Sequence, residues 1–383
     1  MGRYVVRRII QVVGMTFAFV TITFLILQAM PGDITNLYIS PEIPPEVRQA
    51  LRERFGVDQP VLSQYARYIT NFLRGNLGYS FRHYPRTVWD IIRERLPRTF
   101  VLFFTATVGY FYLGFTLGKI IAWKRGTALE YTTTVGGVFL YSLFLPMYAL
   151  LVIWFFALRL GWFPVSQFIT PRLWRGVEVS SNTIFGYIIL SAALFVALMS
   201  LVSVYGKKYS RTRKARRNLY WGIGGITLGI LVTGWGISGY AHLAANIFHH
   251  LALPVITLTT GAFAGSMLLM RDSMLETIKE DYVMAARAKG LPDREVRDRH
   301  AARTALLPMV TSFTLAIASV LNGGIITENI FSWPGMGQTL VKSIQTNDWP
   351  LALGTFAFTG IFVLFAHLAV DILYAVLDPR IRY

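Results

Sequence analysis

Eight stretches of the chain are almost wholly apolar: 9–30, 99–122, 131–158, 183–205, 219–241, 249–271, 306–327 and 351–377. A bilayer core about 30 Å thick is crossed by roughly 20 mostly apolar helical residues, so each stretch predicts a membrane-spanning helix. The pattern therefore predicts an all-α polytopic membrane protein of about eight transmembrane helices. The first stretch follows Arg3, Arg7 and Arg8 as a signal peptide would. It is long for a signal core, and Leu27 spoils a small-x-small cleavage site at Ala29, so an uncleaved span is expected.

The polar intervals divide the chain further. After the first span (1–30), residues 31–98 predict a small helical external module. PEIPPEVRQALRERFG reads as a helix started by Pro44 and Pro45 and ended at Gly56, with Leu51 and Phe55 on one face. QYARYITNFLRGNLG reads as a second, stopped by Gly75 and Gly78, with Tyr65, Ile69 and Phe72 on one face. A third is expected from Thr87 to Leu96, before Pro97. Each face could pack on another helix or on the membrane surface. Residues 99–165 hold the second and third spans, and 166–248 hold two more around the basic block KKYSRTRKARR (207–217).

The last segment, 249–383, contains a charged island, DYVMAARAKGLPDREVRDRHAARTALLP (281–308), between apolar runs. Residues 272–289 predict a helix that Asp272 can cap, with Gly290 as the left-handed residue ending it and Leu291 placed for the accompanying apolar contact. Pro292 then opens a second helix whose acids come early and bases late, as the helix dipole favours. Residues 272–305 thus predict a helix–Gly–helix hairpin. Its tip, ARAKGL, combines small side chains with two cations and suits a groove on another protein.

Composition changes this picture in two ways. The chain has no Cys, which removes disulfides, thiol catalysis and Cys-ligated metal sites together. Much of its net charge of +17 falls where topology needs it, and the Arg-rich segment 31–98, expected outside, strains the pattern but is long and also holds several Glu and Asp. With the N-terminus inside, Lys124–Arg125, the 207–217 block, the island and the tail DPRIRY all lie in the cytoplasm, the positive-inside pattern. The basic block reads as a lipid-facing anchor.

Catalytic chemistry is not visible. GFTLGKI (114–120) has three residues between its glycines where a nucleotide-binding loop needs four, and it lies inside an apolar span. His242, His249 and His250 have no acidic companions and read as interfacial or capping residues rather than metal ligands. His367 and Asp371, four residues apart in the last span, form a candidate intramembrane polar pair. Intervening acids and missing stacking aromatics argue against nucleic acid at the island.

DYVMAARAKGL and RHAARTALLPMVT resemble the cytoplasmic coupling loop of permease subunits from the dipeptide/oligopeptide ABC importer family. MGRYVVRRII, TFLILQAMPGD, LRERFGVDQPVLSQYARYITNFLRGNLGYSF, NIFSWPGMGQTLVKSIQTNDWPLA and VDILYAVLDPRIRY are similar to further parts of that family, in order along most of the chain. The resemblance implies a type I ABC importer transmembrane fold in the inner membrane with both termini cytoplasmic. Six helices form the family core, and the two spans of 166–248 are extra. It implies a non-catalytic subunit without a cofactor, ATP and magnesium being bound by two partner ATPase subunits. A second homologous permease and an extracytoplasmic solute-binding protein complete the assembly. Cargo would be peptides, or the oligosaccharides or nickel carried by other members; a secondary transporter is the alternative in another class.

Carried over by residue, Tyr282, Ala285, Ala286, Arg287, Lys289, Gly290 and Leu291 would form the ATPase interface. Asn322, Gly323 and Gly324 are candidates for the pathway or for close helix packing. The chain departs from the family at Met284, where the signature has Glu, and at His367, where members typically have Asn.

Overall fold

The computed structural model describes residues 2–29, 60–209, 213–320 and 324–377. Among these the regular structure is helical, with no strand beyond a single antiparallel bridge between Tyr79 and Thr87. The predicted helix 41–56 and the tail 378–383 lie outside the described residues. The helices fall into two compact units, Met1–Phe155 with Pro254–Tyr383, and Phe156–Leu253.

In the first unit, α1 (Gly2–Ala29) is followed by α2 (Val61–Leu73), which packs on it through Tyr65 and Tyr68 around Phe24. Thr21 shares a 2.7 Å hydrogen bond with the Tyr65 hydroxyl. Gly75 and Gly78, at φ +71° and +87°, end α2 as the sequence predicts. The chain then enters α3 (Val88–Trp123) through a capping box: Thr87 Oγ1 accepts from the Asp90 N–H, and the Asp90 carboxylate accepts from the Thr87 N–H.

Three sequence expectations are corrected here. The short helix predicted to stop before Pro97 runs through it as one 36-residue helix. A proline inside a helix removes one donor, which neighbouring groups can compensate. Here the Glu94–Arg98 ion pair spans the site and Arg98 and Thr99 are buried. The predicted span 131–158 is two pieces, α4 (Ala128–Ser142) and α5 (Leu145–Val152), the latter continuing as a π-helix over Ile153–Arg159. They are bent by 106°. Leu143 and Phe144 are extended, and Pro146 fits the first turn of the second piece, where its missing N–H is harmless. The predicted run 306–327 is helical as α10 (Ala302–Ser319), and a new short helix, α11, begins at Ile325 and ends at Ile330.

The second unit holds α6 (Ser181–Tyr209) and α7 (Arg213–Ile237), which pack where Gly224 faces Met199 and Trp235 Nε1 donates to Ser191 Oγ at 3.3 Å. It also holds the start of α8 (Ala241–Thr277). His250 bonds the Gln167 carbonyl and Thr170 Oγ1, Asn246 accepts from the Thr170 N–H and Trp174 Nε1, and His249 donates to the Trp162 carbonyl. These histidines fasten the preceding loop to α8.

Among the described residues, six helices are long and apolar enough to cross a membrane, seven if the bent pair is one span. The chain is an all-α polytopic membrane protein. Its last elements are α12 (Met336–Gln345) and α13 (Trp349–Leu377), the latter lying along α1 and α12.

Candidate functional site

The charged island forms a hairpin, built differently at its entry from the sequence expectation. Asp272 caps nothing, because α8 continues to Thr277; its carboxylate pairs instead with Arg271. The break comes at Ile278–Glu280, and α9 (Asp281–Ala288) follows. Gly290 takes φ +75° as C′ residue, its N–H donating to the Arg287 carbonyl at 2.9 Å. Leu291 packs back onto the apolar cluster beneath. After Pro292 a single turn (Asp293–Glu295) gives way to a π-helical stretch, Val296–Ala301, before α10.

Helical spacing divides the hairpin into two faces. Val283, Ala286, Val296 and Ala301 point inward, each at most 5% exposed, whereas Tyr282, Met284, Ala285, Arg287, Ala288, Lys289 and Gly290 are exposed. Ala286, expected at the interface, is therefore a core residue of the hairpin itself. Its cluster continues into Phe111 and Ala122 of α3, Met270 and Met274 of α8, and Ala302, Ala305 and Met309 of α10. At the rim the Arg287 guanidinium lies 4.7 Å over the Trp123 ring, and Tyr282 donates to Thr304 Oγ1 at 2.9 Å. Lys119 lies 3.3 Å from the Asp298 carboxylate. The Arg297 side chain, and then Lys119, hold that carboxyl below the usual range.

The fastening of α3 to α8 is what sequence reasoning missed. A Cβ on Gly118 would stand 2.6 Å from the Met267 carbonyl oxygen, and one on Gly114 would stand 2.8 Å from the Met267 nitrogen. Ser266 Oγ, reaching across, donates to the Tyr110 carbonyl at 2.9 Å. The signal was present in GFTLG: three residues between glycines is the spacing at which small residues let two helices approach. Set aside as a failed phosphate loop, it is a helix-packing seam.

Among the remaining candidates, Asn322 and Gly323 lie outside the described residues. Gly324 precedes α11, and a Cβ there would stand 2.6 Å from the Phe103 ring, so close packing accounts for it. His367 and Asp371 do not pair. His367 Nδ1 donates to its own helix, to the Val363 carbonyl at 2.9 Å, while the Asp371 carboxylate lies 3.4 Å from the Arg8 guanidinium of α1.

A second polar centre, unanticipated from sequence, lies at the other end of α3. Glu328 is fully buried and its carboxylate accepts from Thr99 Oγ1 at 2.7 Å and from the Gln338 N–H at 2.9 Å. Thr99 Oγ1 in turn accepts from the Met336 N–H at 2.8 Å, and Trp333 Nε1 donates to the Arg98 carbonyl at 3.1 Å. Burial pushes the Glu328 carboxyl up to about 7, against hydrogen bonds from Thr99, Gln338 and Gly337. A Cβ on Gly335 would press on this carboxylate, and one on Gly337 would stand 2.8 Å from Ile325 Cα and 3.1 Å from Glu328 Oε2. The stretch ENIFSWPGMG is thus a knot tying the α11–α12 segment to α3.

Membrane-length helices with a two-faced hairpin at one end of them define a multi-pass membrane component. A family model for the inner membrane component of binding-protein-dependent transport systems matches residues 217–383, and the model of the N-terminal part of such components matches residues 1–103. A candidate peptide permease of Brucella suis is 30% identical over 384 residues, covering 100% of this chain and 99% of that protein. The oligopeptide transport system permease of Bacillus subtilis is 28% identical over 388 residues, covering 100% of both chains. The dipeptide transport system permease of Escherichia coli K12 is 28% identical over 384 residues, covering 100% of this chain and 99% of that protein. The chain belongs to this family of inner-membrane transport components, as a permease subunit of its dipeptide/oligopeptide branch.

Proposed function

We propose that the chain is one of two permease subunits of an ATP-driven importer, with hairpin and termini in the cytoplasm and peptides as cargo. The observation that carries this reading is the two-faced hairpin. Its outer face offers Ala285, Lys289 and Gly290 to a partner, and its inner face continues without a gap into α3, α8 and α10. A push on the tip is then a push on three helices, since close-packed interiors transmit displacement rather than absorb it. ATPase subunits docked at the tip would supply that push, a second permease would complete the pathway, and an external binding protein would deliver cargo. The peptide assignment is supported by the names of the relatives, and the cytoplasmic placement by the basic segments flanking the spans.

The test is uptake by proteoliposomes holding the full importer. Ala285→Trp and Lys289→Glu each alter an exposed position, so membrane insertion and yield stay at wild-type levels. Peptide uptake and peptide-stimulated ATP hydrolysis fall about tenfold or more, the equivalent of some 1.4 kcal/mol of lost docking. Full uptake in both variants would sink the docking assignment. The ligand co-purifying with the binding protein tests cargo separately: nickel or an oligosaccharide there would overturn the peptide assignment alone.

A further inference from the structure

At the end of the bundle away from the hairpin, a groove of about 370 Å³ is lined by Phe72, Arg74 and Leu77 from the end of α2 and its exit, Trp89 of α3, and Phe358 and Ile361 of α13. Three observations bear on what fills it. The first is depth: α2 touches α1 at Thr21 and Phe24, and eight residues from Thr21 to Ala29 make about 12 Å of helix. α2 therefore lies alongside a membrane span, not above it. The second is the edge of the apolar face of α2, where Leu62 is 80% and Leu73 78% exposed beside the tyrosines that meet α1. A helix apolar on one face, with Arg67 among the polar residues of the other and Arg74 at its end, fits the interfacial layer of a bilayer, where long basic side chains reach the headgroups. The third is charge. Among the described residues no acidic side chain lines the groove, Arg74 stands at its rim, and Arg93 lies 5.3 Å over the Trp89 ring, which meets Phe358 edge-on at 5.4 Å.

From this geometry we infer a binding site for an anionic phospholipid of the leaflet opposite the hairpin. One acyl chain lies against Phe72, Trp89, Phe358 and Ile361, and the phosphate meets Arg74. The aromatic floor supplies contact and the cation selects charge. A membrane-facing groove walled by a span is filled by lipid wherever no protein covers it, which makes a covering subunit the competing occupant. The site is independent of the docking role of the hairpin.

The test uses the full-length chain, purified in detergent and titrated with phosphatidylglycerol or phosphatidylcholine under native mass spectrometry. Phosphatidylglycerol is expected to bind about fivefold more tightly, the contribution of one Arg near an anionic headgroup. Arg74→Gln abolishes the preference, and Ile361→Trp, which fills the groove, removes the bound lipid. A photoreactive phenylalanine analogue placed at Phe358 in native membranes captures phospholipid. Equal binding of the two lipids, unaffected by Arg74→Gln, overturns the proposal, as does capture of a protein subunit at Phe358. If Ile361→Trp does not fold, Arg74→Gln and the cross-link decide between these results.

Discussion

Replacing Gly118 by Ala adds one methyl group where there is no room for it. The new carbon would stand 2.6 Å from the Met267 carbonyl oxygen and 2.7 Å from Met270 Cβ, whereas carbon contacts relax near 3.5–4.0 Å. Met267 contributes backbone at this contact, so α3 and α8 must separate by about 1 Å to restore normal contact. Overpacking of this kind costs about 1–3 kcal/mol. Separation also stretches the Ser266–Tyr110 hydrogen bond, now 2.9 Å, and a bond between membrane helices contributes about 0.6 kcal/mol on average. Because Ala is the better helix former by about 1 kcal/mol, the net destabilisation expected is about 0.6–2.6 kcal/mol. Gly222→Ala in α7 is the control, because nothing lies within 4 Å of its added carbon and only the propensity gain remains. The assay is thermal unfolding of the purified chain beside peptide uptake by the reconstituted importer. Gly118→Ala should melt lower and transport poorly, and Gly222→Ala should do neither. A Gly118→Ala protein that melts and transports like wild type would refute the close-packed seam.

Glu328→Ala orphans the buried Gln338 N–H and the Thr99 hydroxyl, and each such loss costs about 1–3 kcal/mol, read as a lower melting temperature. Glu328→Gln keeps an acceptor and should be much milder. Because the folded-state carboxyl of Glu328 titrates near 7, above its ordinary value of 4.5, its contribution to stability is full below about pH 4.5 and is lost as pH rises through 7. Melting curves from pH 5 to 8 should show that decline, and Glu328→Gln should flatten it. Asp371→Asn removes the half-exposed partner of Arg8 and should cost at most about 1 kcal/mol, while His367→Asn should leave melting and uptake unchanged. Lys119→Glu faces Asp298 with like charge and should lower uptake more than it lowers the melting temperature, since this partly exposed pair holds the hairpin rim rather than the core.

Run length and charge placement made the membrane class legible in the sequence, because hydropathy over roughly 20 residues is a constraint the lipid imposes directly. The hairpin was legible too, since Gly290 and Pro292 act locally on φ and on hydrogen bonding. The errors fall where partners distant in sequence decide. Pro97 looked like a terminator because its lost bond is a local matter, whereas the burial of Arg98 and Thr99 that carries the helix onward is tertiary. Asp371 was matched with His367 by spacing, but its counter-charge sits 363 positions away on α1, 371 − 8. Glu328 passed unnoticed for the same reason: Thr99 and Gln338 are brought to it by the packing of α3 against α11 and α12. Ala286 shared a motif with its exposed neighbours, and only the rotation of α9 turns it inward.

The two faces of the hairpin carry the account, and cysteine accessibility tests them most directly. The chain contains no Cys, so a single introduced thiol reports on one position alone. In the permease without its ATPase subunits, Ala285→Cys and Lys289→Cys should react readily with maleimide, and Ala286→Cys should not. In the assembled importer the first two should be protected, and protection should change across the ATP cycle. Equal labelling of Ala285→Cys and Lys289→Cys with and without the ATPase subunits would contradict the assignment of this face as the docking surface.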